Sequence, residues 1–341
     1  MTTVVGRHDS THNVDVGGPF FEDLAVGQVF DAAPSVTFTD GMAAVHRSIL
    51  GSRLRLPLDA SLSRRVAGDG APMVDPGLVW DVAIGQSTIV THHVKANLFY
   101  RGLMFRAFPR IGDTMTTTTT VTGLRENSPK PGRHPTGLAA LRIESVDQDG
   151  RSVLDFHRCA MLPLGTDLED NRIRHSDDLG ALSSDTPEPP SISAANQYDL
   201  GAFRESVGGA HFTPDLVGTS FESSADVVSS APELARLSLN IAATHHDERS
   251  GPTGRLVYGG HTIGLAFAQA TRALPNIVTV LGWRSCDHLA PVRENDTLTS
   301  SLLVERAESL PGGGGVLHLC SRVRSLSAGD VLDWKFSVLM A

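Results

Sequence analysis

The residues with the clearest capacity for chemistry lie between Asn240 and Thr271, where a polar cluster precedes an apolar helix. His245 stands in the run N-I-A-A-T-H-H-D, five residues after Asn240 and two before Asp247. Fifteen residues after His245, Gly260 completes a Gly-Gly turn that opens the helix. Imidazole transfers protons near neutral pH, and the N–H groups at a helix start stabilise negative charge. The stretch therefore predicts acid–base chemistry on a substrate whose oxygen gains negative charge.

Three further residues widen the set of candidates. Tyr258 stands beside the Gly-Gly turn and is expected either to hydrogen-bond a substrate or to cap the turn. His46 follows Asp40 by six residues in a helix-like run of the first half, and this pair could form a second site. A lone histidine on a helix is more often structural than catalytic, so His46 has a second, structural interpretation.

The histidines near position 245 do not have the spacing of a metal site. His245, His246, Asp247 and His261 are potential ligands, but the H-H-D run has no two histidines four residues apart. No cysteine joins the cluster, whereas zinc sites combine cysteine and histidine ligands at defined spacings. We predict no metal and no bound cofactor.

Length and charge narrow the class of protein. A chain of 341 residues is long enough for two medium-sized domains with their own cores. The net charge of −9 argues against a nucleic-acid partner, because phosphate binding needs clustered lysine and arginine. A local basic pocket would still accommodate a small anionic ligand.

The N-terminal residues and the cysteines predict a cytoplasmic protein without a membrane partner. The first 16 residues are polar and lack the apolar segment of a signal peptide, and no stretch approaches the roughly 20 apolar residues of a transmembrane helix. Cys159, Cys286 and Cys320 share no close spacing and lie in apolar or strand-like surroundings. This usage is typical of buried free thiols in a reducing compartment.

The elements that would position the candidate residues occur twice in the same order. Each half has a short strand, a polar helical region, one long apolar helix and about four strand-like runs. Residues 165–199 are charged and rich in proline and serine, which indicates a linker, and Pro311–Gly315 indicates a hairpin loop. We therefore predict a first domain at 17–164 and a second at 200–341.

The two halves are related by an offset of 183 residues. The run from Gly77 to Thr88 then aligns with the run from Gly260 to Thr271, and glycine, alanine, glutamine and threonine coincide at four positions. A helix that is apolar on all faces is a buried helix. The repeat therefore predicts an α+β fold in which each half wraps a curled antiparallel sheet around one helix.

This duplicated pattern resembles the double-hotdog members of the MaoC-like (R)-specific enoyl-CoA hydratase/dehydratase family. The nearest resemblance is to an actinobacterial double-hotdog group that shares N-I-A-A-T-H-H-D and V-Y-G-G-H-T-I-G-L, with mesaconyl-CoA hydratases more distant. The resemblance covers essentially all of 17–341 apart from the linker. It implies two tandem hotdog folds, a catalytic second half and a first half that accommodates the acyl chain.

The resemblance assigns His245 to the catalytic histidine of the motif D-x-N-P-x-H. The motif's aspartate falls on Asn240, and its asparagine and proline fall on Ala242 and Ala243. An amide cannot accept a proton near pH 7, so Asn240 would orient water without acting as the base. His245 would then work alone, or Asp247 or a residue of the first half would supply a carboxylate. Gly260 would hold the thioester oxygen.

The implied function is addition or removal of water across the α,β double bond of an acyl-CoA, a hydro-lyase reaction of fatty acid metabolism. A hotdog acyl-CoA thioesterase and a non-catalytic acyl-CoA binding protein are the alternatives. The expected partner is the acyl-CoA substrate itself, and a homodimer is a further expectation, since curved sheets with open edges often pair in this fold.

Overall fold

The computed structural model describes residues 16–165, 175–180, 196–250 and 254–341. Within these ranges the helices are α1 Asp40–Leu50, α2 Arg55–Leu58, α3 Ala60–Ala67, α4 Pro76–Gln86, α5 Leu200–Ser206, α6 Ala231–Leu237 and α7 Gly259–Ala273. The strands of the first half are β1 Val29–Phe30, β2 Val36–Thr37, β3 Ala96–Phe105, β4 Thr114–Glu126, β5 Thr136–Asp147 and β6 Ser152–Pro163. Those of the second half are β7 Ser220–Glu222, β8 Asp226–Val227, β9 Ile277–His288, β10 Thr297–Ser309, β11 Gly315–Ser325 and β12 Gly329–Met340.

These twelve strands form one antiparallel sheet. Their order is β1-β4-β5-β6-β3-β9-β12-β11-β10-β7, with β2 paired to β4 and β8 paired to β10. The strands of the first half therefore lie next to one another at one end of the strand order, and those of the second half lie at the other end. The two groups meet where β3 pairs with β9, with Tyr100 opposite Cys286. Buried and partly exposed residues alternate along β4, because successive side chains of a strand point to opposite faces.

Each half of the sheet packs against one central helix. α4 contacts β4 and β5, while α7 contacts β10 and β12. Every residue of α4 is buried, as its all-round apolar sequence predicts. α7 is buried from Gly260 to Thr271. One helix enclosed by antiparallel strands, present twice, is the double-hotdog arrangement that the resemblance implies.

The internal repeat extends to individual hydrogen bonds. Gln86 at the end of α4 donates from Nε2 to the carbonyl oxygen of Met115 at 3.2 Å. Gln269 of α7 donates to the carbonyl oxygen of Leu298 at 3.0 Å. Both residues of the second bond lie 183 positions after those of the first, so the predicted offset relates equivalent contacts. The glutamine at this equivalent position ties each central helix to a strand of its own half.

One aromatic cluster joins the two halves into a common core. The ring of Trp80 on α4 lies 5.7 Å from Phe267 on α7, 5.0 Å from Trp283 on β9 and 6.1 Å from Trp334 on β12, measured between centroids. All four side chains are at most 1% exposed. Edge-to-face pairs of this kind contribute about 0.5–1.5 kcal/mol beyond burial of their area. The two central helices therefore pack against each other, and each also packs against the strands of its own half.

Other expectations are met in part. Pro311–Gly315 lies at the turn between β10 and β11, as expected for a hairpin loop. Most of the expected linker and the polar N-terminal residues lie outside the described residues. The described piece 175–180 packs on β4, where the Asp177 carboxylate accepts the Leu124 N–H at 2.9 Å. The domain bounds 17–164 and 200–341 stay a prediction. No helix in the described ranges is long and apolar enough to cross a membrane.

Candidate active site

The start of α7 lacks a side-chain cap. Tyr258 occupies the N-cap position, and its side chain makes no cap hydrogen bond. The first N–H groups of a helix have no acceptor within the helix, so the N–H of Gly260 can serve a ligand. A β-carbon at Gly260 would lie 2.2 Å from Oδ1 of Asp81 and 2.4 Å from the Tyr258 ring. Only glycine fits here, because the helix start is pressed against both side chains.

The equivalent start of α4 is closed by its own chain. Asp75, which lies 183 positions before Tyr258, caps α4 by accepting the N–H of Gly77 at 2.7 Å. The second carboxylate oxygen of Asp75 accepts from the Ser52 hydroxyl at 2.7 Å. The two helix starts therefore differ in their capping: a carboxylate of the chain accepts the N–H of Gly77 in α4, whereas no side chain caps α7.

His245 is held in an orientation that leaves one ring nitrogen free to accept a proton. It ends the 3₁₀ turn Ala243–His245, and its Nδ1 lies 3.0 Å from the carbonyl oxygen of Leu256. A carbonyl only accepts hydrogen bonds, so Nδ1 carries the proton and Nε2 keeps its lone pair. Burial, aided by neighbouring His246, lowers the pKa of His245 to about 4. The imidazole is neutral at pH 7, as a general base must be.

A small cavity adjoins His245. Its volume is about 150 Å³, and His245, Leu256 and Val257 line it together with residues of the loop before α7 and of the approach to β10. The ring of His245 also lies edge-on to that of Tyr258, with centroids 5.7 Å apart. The histidine therefore lines a cavity and lies next to Tyr258, the residue that precedes α7.

Tyr258 connects this region to a buried carboxylate of the first half. Its hydroxyl donates to Oδ1 of Asp81 at 3.1 Å, and Oδ2 of Asp81 lies 3.0 Å from Nε2 of His46. All three side chains are at most 2% exposed. Burial raises the pKa of Asp81, and the bond to His46 opposes that rise. Asp81, a residue that the sequence analysis missed, is therefore a carboxylate of the first half that is bonded to Tyr258 next to α7. That a residue of the first half supplies the acid–base carboxylate stays a prediction.

A signal for Asp81 was present in the sequence. It is the one charged residue in the run L-V-W-D-V-A-I-G of the apolar helix α4. A charge on a helix buried on all faces needs a partner, and that partner often belongs to a functional or structural network. Its position in sequence gave no hint that His46 and Tyr258 would be those partners.

Among the described residues, the oxygen atoms of Asn240 are bonded to Ala242 and His246 and not to His245. Its side-chain oxygen accepts the N–H of Ala242 at 3.0 Å, and its carbonyl oxygen lies 2.6 Å from Nε2 of His246. The side chain is 2% exposed. In this structure Asn240 therefore supports the turn that leads into His245.

The two other candidate carboxylates face solvent. Asp247 forms a two-point ion pair with Arg249, and this pairing lowers the pKa of Asp247 to about 2. Asp40 is exposed at the first turn of α1. His46 lies on the buried face of the same helix and pairs with Asp81 instead. The structure thus does not bring Asp40 and His46 together as a second acid–base pair.

Two further histidines border the start of α7. A β-carbon at Gly259 would lie 2.7 Å from the His288 ring, and burial lowers the pKa of His288 to about 4. His261 is fully buried, and burial likewise lowers its pKa to about 4. Within the described ranges, both nitrogens of His261 and Nε2 of His288 have no hydrogen-bond partner. His288 comes from β9 and was not among the predicted residues.

Metal ligands and thiols do not contribute to the described site. Among the residues that the structure describes, no group of three or more histidine, cysteine, aspartate or glutamate side chains could hold a metal ion. That the protein needs no metal or cofactor stays a prediction. Cys159, Cys286 and Cys320 are buried free thiols, as their surroundings in the sequence indicate.

Comparison with known structures identifies the fold class. The sequence matches no protein-family model. The chain is 55% identical to a conserved hypothetical protein of Mycobacterium tuberculosis that has a double hotdog fold, with a TM-score of 0.91 over 96% of this chain and 100% of that one. A putative MaoC-domain dehydratase of Chloroflexus aurantiacus is 26% identical, with a TM-score of 0.76 over 95% and 97% of the two chains. The chain is a double-hotdog protein.

Two characterised relatives extend the comparison to enzymes. The chain is 29% identical to a β-methylmalyl-CoA dehydratase of Chloroflexus aurantiacus, over 95% of this chain and 97% of the relative. It is 28% identical to a mesaconyl-CoA hydratase of Cereibacter sphaeroides, over 89% and 88%. With these relatives and the shared fold, the chain belongs to the double-hotdog MaoC-like dehydratase family.

Proposed function

We propose that this protein is an acyl-CoA hydratase/dehydratase, a hydro-lyase that adds water to an enoyl-CoA or removes it from a 3-hydroxyacyl-CoA. The observation that carries the proposal is the uncapped start of α7 beside a neutral His245 whose Nε2 is free to accept a proton. These are a donor for a thioester oxygen and a base for water. The relatives named as CoA hydratase and dehydratase support the same reaction class.

In the proposed hydration, the thioester oxygen accepts the N–H of Gly260. The oxygen of a water molecule bonds to the β-carbon while its proton passes to Nε2 of His245. The electron pair of the double bond shifts toward the thioester oxygen, where the helix start stabilises the developing charge. His245 then returns the proton to the α-carbon and the carbonyl re-forms. Dehydration follows the same steps in reverse.

The second half is the proposed catalytic half. Its helix start has no side-chain cap, whereas Asp75 caps that of the first half. The first-half histidine is also engaged, because His46 is bonded to the buried carboxylate of Asp81. We therefore assign the accommodation of the acyl chain to the first half.

The enzyme is proposed to be atypical because Asn240 stands where the family has an aspartate. Its amide oxygen is bonded to the main chain, and an amide cannot take a proton. Loss of one general base costs on the order of 10²–10⁴ in rate. We therefore place both proton transfers on His245. The Tyr258 hydroxyl, fixed by Asp81, is proposed to define one wall of the site.

A panel of CoA thioesters tests the proposal. The panel should contain enoyl-CoA and 3-hydroxyacyl-CoA esters, including mesaconyl-CoA and β-methylmalyl-CoA. We expect His245→Ala to lower kcat by at least about 10², and His134→Ala, at an exposed histidine outside the site, to leave it unchanged. Absence of turnover by the wild type on the whole panel, or full activity of His245→Ala, would refute the assignment.

Two readouts separate the alternatives. Release of free CoA, followed with a thiol reagent, would identify a thioesterase, and binding without any turnover would identify an acyl-CoA binding protein. Asn240→Asp keeps an acceptor for the N–H of Ala242. A gain in crotonyl-CoA hydration by this variant would show that position 240 is the family's base position.

Cellular location and assembly complete the proposal. We propose a cytoplasmic protein, which the three buried free thiols support. We also propose a homodimer, since β1 and β7 leave the two ends of the sheet without a further strand among the described residues. Size-exclusion chromatography with light scattering checks the second point.

A further inference from the structure

A much larger cavity than the one at His245 lies between the two halves. Its volume is about 640 Å³, within the range of about 300–1,000 Å³ typical of small-molecule sites. Its wall combines the end of α1 and the segment through α3 with residues 206–208 at the end of α5 and with Thr271 and Pro275 around the end of α7. Thr271 lies eleven residues after Gly260 on α7, about 16 Å along the axis. The cavity is therefore separate from the space at His245.

Four arginines line this cavity on a protein whose net charge is −9. They are Arg47, Arg53, Arg55 and Arg65. The one carboxylate in the wall is that of Asp59, which accepts the main-chain N–H groups of Ser61 and Leu62 at the start of α3. Among the described residues, none of the four arginines forms an ion pair. The cavity therefore has local positive charge that the described chain leaves uncompensated.

Parts of this basic wall are fixed in place. Nε of Arg55 donates to the carbonyl oxygen of Pro275 at 3.0 Å and to Oδ1 of Asn276 at 3.1 Å. Arg65 donates from Nη1 to the Ser206 hydroxyl at 2.6 Å. Each of these bonds joins the first half to the second. Arg55 uses only its Nε in these bonds and Arg65 only one Nη, so their other N–H groups can bind a ligand. Donors that are already held in place lower the entropy cost of binding.

The chemistry of the wall selects the ligand. Guanidinium groups match phosphate oxygens with paired hydrogen bonds, and four of them suit more than one phosphate. Leu58, Leu62 and Pro275 supply apolar surface in the same cavity, which suits a flat ring. We propose that this cavity binds a nucleotide that carries two or more phosphate groups, with the phosphates on the arginines and the base on the apolar wall.

Two kinds of ligand carry several phosphates together with a base. One is a free nucleotide that acts apart from the substrate. The other is the nucleotide end of a CoA thioester, an assignment that rests on the proposed function. Adenosine 3′,5′-bisphosphate is a probe for both, because it carries the phosphates and the base without a reacting group.

Calorimetric titration of the full chain with adenosine 3′,5′-bisphosphate at low salt tests the proposal. We expect Arg53→Gln and Arg65→Gln to weaken binding at least tenfold together. Arg64→Gln is the matched control, because Arg64 is an exposed neighbour on α3 outside the cavity wall. The proposal is overturned if the wild type does not bind the bisphosphate, or if the control loses as much affinity as the test variants.

Kinetics on two thioesters then distinguish the sources. A KM raised for crotonyl-CoA but not for the crotonyl thioester of pantetheine would assign the cavity to the nucleotide end of the substrate. Unchanged kinetics together with lost bisphosphate binding would assign it to a separate nucleotide. The titration needs no turnover, so its outcome stands apart from success or failure of the proposed hydratase activity.

Discussion

Replacing Gly260 by alanine should destabilise the protein and disrupt the site at the start of α7. The added β-carbon would lie 2.2 Å from Oδ1 of Asp81 and 2.4 Å from the Tyr258 ring. Neither neighbour can move freely, since Asp81 is fully buried and is bonded to both Tyr258 and His46. The substitution must therefore displace Tyr258 and break its bond to Asp81.

The size of the effect follows from three contributions. Overpacking of a closed interior costs about 1–3 kcal/mol, and loss of a buried hydrogen bond to a carboxylate costs about 1.5–3 kcal/mol. Alanine also stabilises a helix by up to about 1 kcal/mol relative to glycine, which partly offsets these losses. The free energy of unfolding should fall by about 1.5–6 kcal/mol, with catalytic turnover reduced at the same time.

Urea unfolding of wild type and variant, followed by circular dichroism and extrapolated to zero denaturant, measures this change. Gly41→Ala is the matched control, because Gly41 also lies in the first turn of a helix and its β-carbon would have no neighbour closer than 3.8 Å. We expect the control to be neutral or slightly stabilising. If Gly260→Ala unfolded at the same urea concentration as the wild type, the close packing deduced for Asp81 and Tyr258 would be incorrect.

Three other outcomes are expected. Burial lowers the pKa of His245 to about 4, and the neutral form of the ring is the base. We therefore expect kcat/KM to be unchanged at pH 5.5 and to fall only near pH 4. An acidic limb near pH 6.5 in the pH–rate profile would contradict this. Tyr258→Phe removes a donor from the buried carboxylate of Asp81 and should lower the free energy of unfolding by about 1.5–3 kcal/mol. An unchanged urea midpoint would mean that this bond is not maintained. Gln269→Leu leaves the Leu298 carbonyl without its side-chain donor and should lower the thermal midpoint by several degrees. An unchanged midpoint in calorimetry would mean that this hydrogen bond does not stabilise the fold.

The architecture could be predicted from the sequence because the same order of helix and strand patterns occurs in both halves. The apolar run after Pro76 and the one after Gly259 are both buried helices, and the offset of 183 residues holds for α4 and α7 and for the starts of β4 and β10. Periodicity and turn residues are properties of short segments, so they can be recognised without knowing how the segments pack.

The site could be predicted only where it depends on one continuous segment. The helix start at Gly259 and His245 lie within a stretch of about twenty residues, so the sequence alone could propose them together. Their catalytic roles stay a prediction. Asp81 and His288 were missed, because their positions depend on how α4 and β9 pack against α7. Asp40 and His46 are not paired with each other for a related reason, since six residues along α1 place the two side chains on different faces.

The pairing of β3 with β9 makes the two halves mutually dependent. This seam is a row of main-chain hydrogen bonds with Tyr100 opposite Cys286 and Leu103 opposite Trp283, and the shared tryptophan cluster lies beneath it. Either half expressed alone would expose a long unpaired strand and an apolar surface, which promotes aggregation. Two fragments produced together from one split gene should instead reassemble and copurify. The covalent connection between the halves would then be dispensable for the assembled fold.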